Sequence, residues 1–339
     1  MKALRAATAA AMLAISVAAS SDDLGSTLQS TAASYYRHAG DVATVTGAAT
    51  TMDYYDRLLD DGALLGGRAP SSYPAELWEN SVRAASQLDL SLATQLLQRS
   101  YQPMAAIRGL GETLVRSSKD GTMQPVAVYV PTTYSAQTPA PLIVFLHGNA
   151  QAESHLLAPP YLQRLAEGTG TIVVAPYGRG AYDFRGAESD VDDAYEAAGR
   201  AFAIDPRKRY LAGYSMGGFS VFRLAPLHPA DWSAVMSIAG SLLQSRSGRL
   251  LSAMPQNVRY YIVTGSRDDN VPTLWPTATA IFLREVGRPV SFYSQLDGTH
   301  ALFTLQPVLA KAWNDMERGI VRAPSGLTGS PDLPEARPE

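Results

Sequence analysis

The chain of 339 residues contains no cysteine. This absence excludes disulfide bonds, thiolate metal sites, a cysteine nucleophile and a lipid anchor attached to cysteine. Charged residues are also few, at 17%, and the net charge at pH 7 is only −3. A chain with this balance lacks the basic surface that binds nucleic acid or anionic membranes. Its size and hydrophobic content are those of a globular protein with one large α/β domain and an additional segment.

Long hydrophobic runs are absent as well, except at the N-terminus. There, residues 1–5 form a short basic head and residues 6–19 an alanine-rich apolar run that ends in small residues. The run is shorter than the roughly 20 apolar residues that span a bilayer. The pattern predicts an export signal that is cleaved near Ala19 or Ser20, and hence a secreted or periplasmic protein. An ordinary alanine-rich amphipathic helix is the alternative.

The most informative motif is the string Gly213-Tyr214-Ser215-Met216-Gly217. It follows an apolar, strand-like run and precedes a helical stretch, which is the context of a G-x-S-x-G nucleophile elbow. Serine is a weak nucleophile unless the backbone exposes it and a neighbouring base takes its proton. The two glycines fit because the strand and the helix pass too close for a side chain. The motif also occurs by chance, so its partners must decide its meaning.

The partners should follow the serine in the order acid, then histidine. Of five histidines in the chain, His300 alone lies well beyond Ser215 and after a plausible acid. It follows a strand-like run and opens a helical stretch, a loop position from which a general base can reach the serine. Asp268 and Asp269, on the loop after the strand at 259–265, compete as the acid, and Asp297 is a third candidate.

Acyl transfer also requires two backbone N–H groups that stabilise an oxyanion. The residue after the nucleophile, Met216, should supply one from the start of a helix. The loop after the apolar strand at 142–146 should supply the other, from Asn149 or from its neighbour Ala150. His147, which precedes the serine, is expected to hold this loop by hydrogen bonds.

The order of elements predicts an α/β fold with about eight strands in a mostly parallel sheet, flanked by helices. The strand-like runs are 112–117, 125–130, 142–146, 171–176, 209–214, 234–239, 259–264 and 290–295. The helical stretches between and after them are 156–167, 190–203, 216–227, 275–286 and 301–319. The elbow then follows the fifth strand, and the acid and the histidine follow the seventh and the eighth.

Four regions are predicted along the chain: a signal peptide (1–19), a helical N-terminal segment (20–110), a catalytic domain (111–320) and a disordered tail (321–339). Apolar residues recur at helical spacing between positions 77 and 97. This helical stretch either lines a substrate cleft or only packs against its neighbour. The tail is too poor in large apolar residues to form a packed structure.

Residues 110–320 resemble the α/β-hydrolase superfamily, and most closely secreted esterases of the feruloyl esterase, polyhydroxybutyrate depolymerase and prolyl-oligopeptidase-like type. The resemblance rests on the sequence segments DGTMQP with VYVP, LIVFLHG, DPRKRYLAGYSMGG and GSRDDNVP. The resemblance implies ester hydrolysis through an acyl-enzyme. Its Gly-x-x-Asp-x-x-Val-Pro spacing favours Asp268 over Asp269 as the acid. The chain departs from these esterases in lacking their usual cysteines.

The expected substrate is therefore a small or polymeric ester, and the sequence indicates neither a metal site nor a cofactor. A serine peptidase or an acyltransferase would use the same three residues. A non-catalytic binding protein on this fold would usually have lost one of them.

Overall fold

The computed structural model describes residues 21–46, 54–70, 73–242 and 250–322. Eight strands form one sheet in the order β1-β2-β4-β3-β5-β6-β7-β8. Strand β2 runs antiparallel to both of its neighbours, and all other neighbouring pairs are parallel. The strands are β1 Gly109–Arg116, β2 Met123–Val130, β3 Ala140–Leu146, β4 Ile172–Pro176, β5 Ile204–Tyr214, β6 Ala234–Ile238, β7 Arg259–Gly265 and β8 Val290–Gln295. The predicted mostly parallel sheet is confirmed.

The α-helices of the described residues are α1 Ser21–Thr46, α2 Tyr54–Leu65, α3 Ala75–Leu97, α4 Glu153–Leu157, α5 Pro160–Thr169, α6 Glu188–Ala201, α7 Met216–Leu224, α8 Leu274–Glu285 and α9 Gln306–Glu317. The single helix predicted at 156–167 was wrong in its extent, because two helices occupy this region. A residue before proline is disfavoured in the helical conformation; Pro159, which precedes Pro160, has a φ of −59° and a ψ of 133°, so the helical path is interrupted there and Pro160 starts α5. The helix predicted at 301–319 starts later, at Gln306.

The central strands are buried on both faces, as a parallel sheet between helices requires. All seven residues of β3 are buried. Its alternate residues Val144 and Leu146 belong to the core on one face, whereas Ile143 and Phe145 belong to the core on the other. The sheet is therefore the middle of three layers, and its carboxyl edge is free to carry a site.

The predicted N-terminal helical segment is present as α1, α2 and α3. These helices bury an apolar core of their own, which includes Leu28, Leu58, Leu92 and Leu96. Residues of β1 and β2, such as Leu114, join the same core. The three helices therefore pack onto the antiparallel edge of the sheet. The boundary near residue 110 stays a prediction.

Two predicted regions lie wholly or mostly outside the described residues. The export signal at 1–19 is one, and the tail at 321–339 is the other, with only its first two residues described. Among the helices that the structure describes, none combines the length and the hydropathy that a membrane crossing needs.

Candidate active site

The turn between β5 and α7 holds Ser215 in a strained backbone conformation, with φ 52° and ψ −116°. Such a φ for a residue with a side chain costs on the order of 1–3 kcal/mol and is typical of functional sites. A Cβ on Gly213 would lie 2.2 Å from the carbonyl oxygen of Gly217, and one on Gly217 would lie 2.3 Å from that of Leu146. Because backbone atoms occupy both spaces, the two glycines are required for this turn.

The hydroxyl of Ser215 lies 2.8 Å from Nε2 of His300. The other ring nitrogen of His300, Nδ1, lies 2.9 and 3.0 Å from the two carboxylate oxygens of Asp268. The Asp268 side chain is fully buried. It also accepts hydrogen bonds from the backbone N–H groups of Asn270 and Val271. These donors fix the orientation of the buried carboxylate toward His300.

The sheet topology brings these three side chains together. Ser215 follows β5, Asp268 follows β7 and His300 follows β8. These strands are parallel members of one sheet, so the loops after them lie at the same edge. A serine, an imidazole and a carboxylate in a continuous hydrogen-bonded line can activate the hydroxyl as a nucleophile.

The two alternative candidates for the acid, Asp269 and Asp297, do not reach the imidazole. Asp269 is exposed to solvent. Asp297 is exposed as well and forms an ion pair with Arg267, with 2.9 Å between Nε and the carboxylate. Both belong to the surface of the loops that carry Asp268 and His300. Of the three candidate carboxylates, the structure brings only Asp268 to the histidine.

Sequence reasoning missed a contact of Tyr214, the residue before the nucleophile. Its hydroxyl donates a 2.8 Å hydrogen bond to the backbone carbonyl of His300. The two rings lie 5.5 Å apart between centroids. The tyrosine therefore fixes the backbone of the histidine loop against the elbow. Its place next to Ser215 was the available signal, although the sequence did not show which loop it would contact.

Residues 147–152 connect β3 to α4 and are called here the oxyanion loop, after the oxyanion donor predicted at Asn149. Asn149 of this loop and Met216 at the start of α7 line one cavity of about 470 Å³ together with Ser215 and His300. The alternative donor Ala150 lines only the neighbouring cavity. The backbone N–H of Gly148 is occupied, because it donates to the side-chain oxygen of Gln151 at 3.2 Å.

His147 holds the oxyanion loop at its start, as expected. Its Nδ1 lies 2.8 Å from the carbonyl oxygen of Gly148, and its Nε2 lies 2.9 Å from that of Tyr177. Its own carbonyl oxygen accepts a hydrogen bond from the backbone N–H of Gly217. The ring is buried and engaged, so it is not placed to serve as a base for Ser215.

A family model described as "Alpha/beta hydrolase family" matches residues 143–339, more than half of the chain. The chain belongs to the alpha/beta hydrolase family. The predicted family and fold are thus confirmed. A curated relative of this hydrolase is the bifunctional acetylxylan esterase/xylanase XynS20E of Neocallimastix patriciarum, 27% identical over 109 residues. That stretch covers 31% of this chain and only 16% of the relative.

Solved structures share the hydrolase fold. FphF, a fluorophosphonate-binding serine hydrolase of Staphylococcus aureus, is 15% identical with a TM-score of 0.51, and the match covers 62% of this chain and 98% of FphF. The CE1 ferulic acid esterase AmCE1/Fae1A of Anaeromyces mucronatus is 16% identical with a TM-score of 0.50, over 61% of this chain and 89% of the esterase. At this identity, the likeness concerns the fold.

A buried ion cluster lies beside the oxyanion loop of the hydrolase. Three carboxylates, from Asp89, Glu112 and Glu153, lie within 4.8 Å of one another, a spacing that could hold a metal ion. The guanidinium of Arg57 is within 2.9 Å of Asp89, 2.8 Å of Glu153 and 3.6 Å of Glu112. The guanidinium of Arg57 therefore already supplies the positive charge that a metal ion would bring to these three carboxylates. The cluster does not fit a metal ion in addition to this arginine.

The cluster shifts the protonation of its members in opposite directions. Burial lowers the pKa of Arg57, but the carboxylates of Asp89 and Glu153 outweigh it and raise this pKa above its usual range. Burial raises the pKa of Glu153, yet the charge of Arg57 brings it below its ordinary value. For Glu112, burial and then the neighbouring carboxylates raise the pKa well above that value. Arg57 and Glu153 thus favour their charged forms as a pair, and the surroundings of Glu112 favour its protonated form.

Asp61, on α2 beside the cluster, should make stability depend on pH. Its side chain is buried, and Nε2 of His155 lies 3.6 Å from its Oδ1, too far for a hydrogen bond. Burial, and then the charge of Asp89, raises the pKa of Asp61 to about 9. The folded protein therefore retains a proton that the unfolded chain releases near its ordinary pKa of about 4, and stability is lost as the pH rises between these two values.

Asp61→Asn is accordingly expected to raise the free energy of unfolding at pH 8 by at least about 1 kcal/mol, since one pKa unit corresponds to about 1.4 kcal/mol. The gain should shrink at pH 5, where the unfolded chain has begun to bind the proton as well. Urea unfolding at the two pH values measures it. Asp60→Asn, at the exposed neighbouring position, is the control and should show no such trend. A gain for Asp61→Asn that is equal at both pH values would contradict this assignment.

Proposed function

We propose that the chain is a serine hydrolase that cleaves carboxylic esters through an acyl-enzyme. The observation that carries the proposal is the continuous line from the Ser215 hydroxyl to His300 and on to the buried Asp268, with contacts of 2.8 and 2.9 Å. Ser215 would be the nucleophile, His300 the general base and acid, and Asp268 the group that orients the imidazole. The esterases among its relatives support the same chemistry.

The reaction would proceed in two steps. His300 takes the proton of Ser215 as its oxygen attacks the ester carbonyl, and the carbonyl oxygen becomes an oxyanion. The backbone N–H groups of Met216 and Asn149 would bind that oxyanion. His300 then gives the proton to the leaving alcohol, which leaves an acyl group on Ser215. Water activated by His300 releases the acid and restores the enzyme.

The walls of the 470 Å³ cavity are partly aromatic and partly polar, and the aromatic part could receive an apolar or aromatic group of an ester. Phe219 and Trp275 line the cavity, and so does Tyr182, which is 70% exposed. Aromatic rings offer large apolar contact area to a substrate. Asn149, Gln151 and Asn270 add polar groups to the lining of the same cavity. We also propose that the enzyme is exported, on the basis of residues 1–19.

The decisive experiment is a fluorophosphonate titration followed by a substrate panel. A fluorophosphonate should label one serine per chain, and peptide mapping should identify it as Ser215. A panel of acyl esters and aminoacyl amides should then show ester hydrolysis at rates at least about 100-fold above amide hydrolysis. Faster cleavage of the amides would indicate a peptidase, and transfer to an added alcohol in preference to water would indicate an acyltransferase. A chain that is not labelled at all would be a non-catalytic binding protein.

A further inference from the structure

We propose that Arg57, on the N-terminal helix α2, is a positioning residue for the oxyanion loop, so that the N-terminal helices form part of the catalytic machinery. The inference rests on the proposed ester hydrolysis and deepens it. It assigns a role to the N-terminal helices, which the sequence alone left undefined. Arg57 does not contact the triad, and its effect would pass through the loop that carries Asn149.

Arg57 holds the far end of the oxyanion loop through Glu153. Glu153 is the first residue of α4 and directly follows the loop. The two Nη atoms of Arg57 donate separately to its two carboxylate oxygens, at 2.8 and 2.9 Å. Both side chains are buried. A two-pronged contact of this kind fixes direction as well as distance, which lysine's single ammonium group does not.

Arg57 also holds the near end of the loop, through Tyr177. Its guanidinium lies over the Tyr177 ring, 5.0 Å from the centroid. The carbonyl oxygen of Tyr177 lies 2.9 Å from Nε2 of His147, the residue that starts the loop. One side chain from outside the catalytic part of the chain thus contacts the supports of both ends of the oxyanion loop.

The interior of the loop depends on these supports. Ala150 has a φ of 54°, a conformation that is unfavourable for a residue with a side chain. Arg57, Asn149, Ala150 and Met216 line one cavity of about 540 Å³, so the arginine lies close to the proposed oxyanion donors. A displacement of Glu153 or His147 would therefore move the N–H of Asn149, and a misaligned oxyanion donor lowers kcat more than it weakens binding.

The central test is Arg57→Lys, which keeps the positive charge among the buried carboxylates and removes the two-pronged contact. We expect a fall in kcat of about 10- to 100-fold for a p-nitrophenyl ester, with KM within about threefold of wild type, as for partial loss of one oxyanion donor. Glu153→Gln breaks the same contact from the loop side. Because it removes a charge from a cluster with an excess of acids, it should fold even if Arg57→Lys does not, and it should show the same kcat loss.

The double variant of Arg57 and Glu153 should lose little more kcat than either single variant, because both remove one contact. Arg288→Lys is the matched control. Arg288 is equally buried, but its guanidinium donates to the carbonyls of Leu251, Met254 and Pro255, away from the oxyanion loop. It should lower the melting temperature and leave kcat unchanged. Folded Arg57→Lys and Glu153→Gln variants with kcat within twofold of wild type would overturn the proposal. So would an equal loss in the Arg288 control.

The rate constant of fluorophosphonate labelling separates this inference from the proposed function, because phosphonylation of a serine also develops charge on an oxygen. If wild type is labelled but does not hydrolyse esters, ester hydrolysis is wrong, and slower labelling of Arg57→Lys still supports the positioning role. Labelling of Arg57→Lys at the wild-type rate would contradict the positioning role. If wild type is not labelled, both proposals are wrong.

Discussion

Ser215→Ala is expected to lower kcat for p-nitrophenyl acetate by at least about 10⁴-fold, because no other group can form the acyl-enzyme. The Ser215 hydroxyl lies at the tip of the elbow and 2.8 Å from His300, and its removal leaves the backbone turn unchanged. Melting temperature and circular dichroism should stay close to wild type. Initial rates at saturating substrate measure the loss, and fluorophosphonate labelling should disappear with it.

The residual activity is itself informative. Loss of the nucleophile leaves the oxyanion donors and the binding cavity in place, so hydrolysis slightly above the rate in buffer should remain. A variant that keeps wild-type turnover would show that Ser215 is not the nucleophile, whatever its contact with His300.

Asp268→Asn is expected to lower kcat by about 10⁴-fold with little change in KM. Asp268 lies 2.9 Å from Nδ1 of His300, so its carboxylate accepts the N–H there and leaves Nε2 free to take the serine proton. An amide in its place can donate to Nδ1 and so stabilise the wrong tautomer of the ring. It also cannot balance the positive charge that His300 acquires during the reaction.

Asp269→Asn is the matched control for this substitution. It removes the same formal charge from the neighbouring position, where the carboxylate is exposed. It should change kcat less than twofold. A large loss in Asp269→Asn together with an active Asp268→Asn would mean that the acid has been assigned to the wrong residue. Steady-state kinetics of the two purified variants on one ester decide between them.

The arrangement of Ser215, Asp268 and His300 could be anticipated because it follows from one local motif and from the order of the strands. The elbow is fixed by the spacing of two glycines around one serine, and counting strands places the loops after β7 and β8 at the same sheet edge. The choice between Asp268 and Asp269 could not be made in this way, because two adjacent loop residues differ only in the direction in which their side chains point. Burial and the N–H groups of Asn270 and Val271 separate them in the structure.

Motif spacing and strand counting could not predict the ion cluster around Arg57. Arg57 and Glu153 are 96 positions apart, and Arg57 and Asp89 are 32 positions apart. Helical periodicity marks which face of α2 is buried, but it does not identify the partners of a charged residue on that face. The division between α4 and α5, in contrast, was readable from Pro159 and Pro160.

The distances along the chain within this cluster bear on the order of events during folding. Contacts between distant positions require large loops to close, so they form late compared with helices and neighbouring strands. The buried arginine joins α2, α3, β1 and α4 at once, and it can enter only when all four are nearly in place. The oxyanion loop would therefore gain its support only after these four elements have assembled, and competence for catalysis would be among the last properties a refolding molecule acquires.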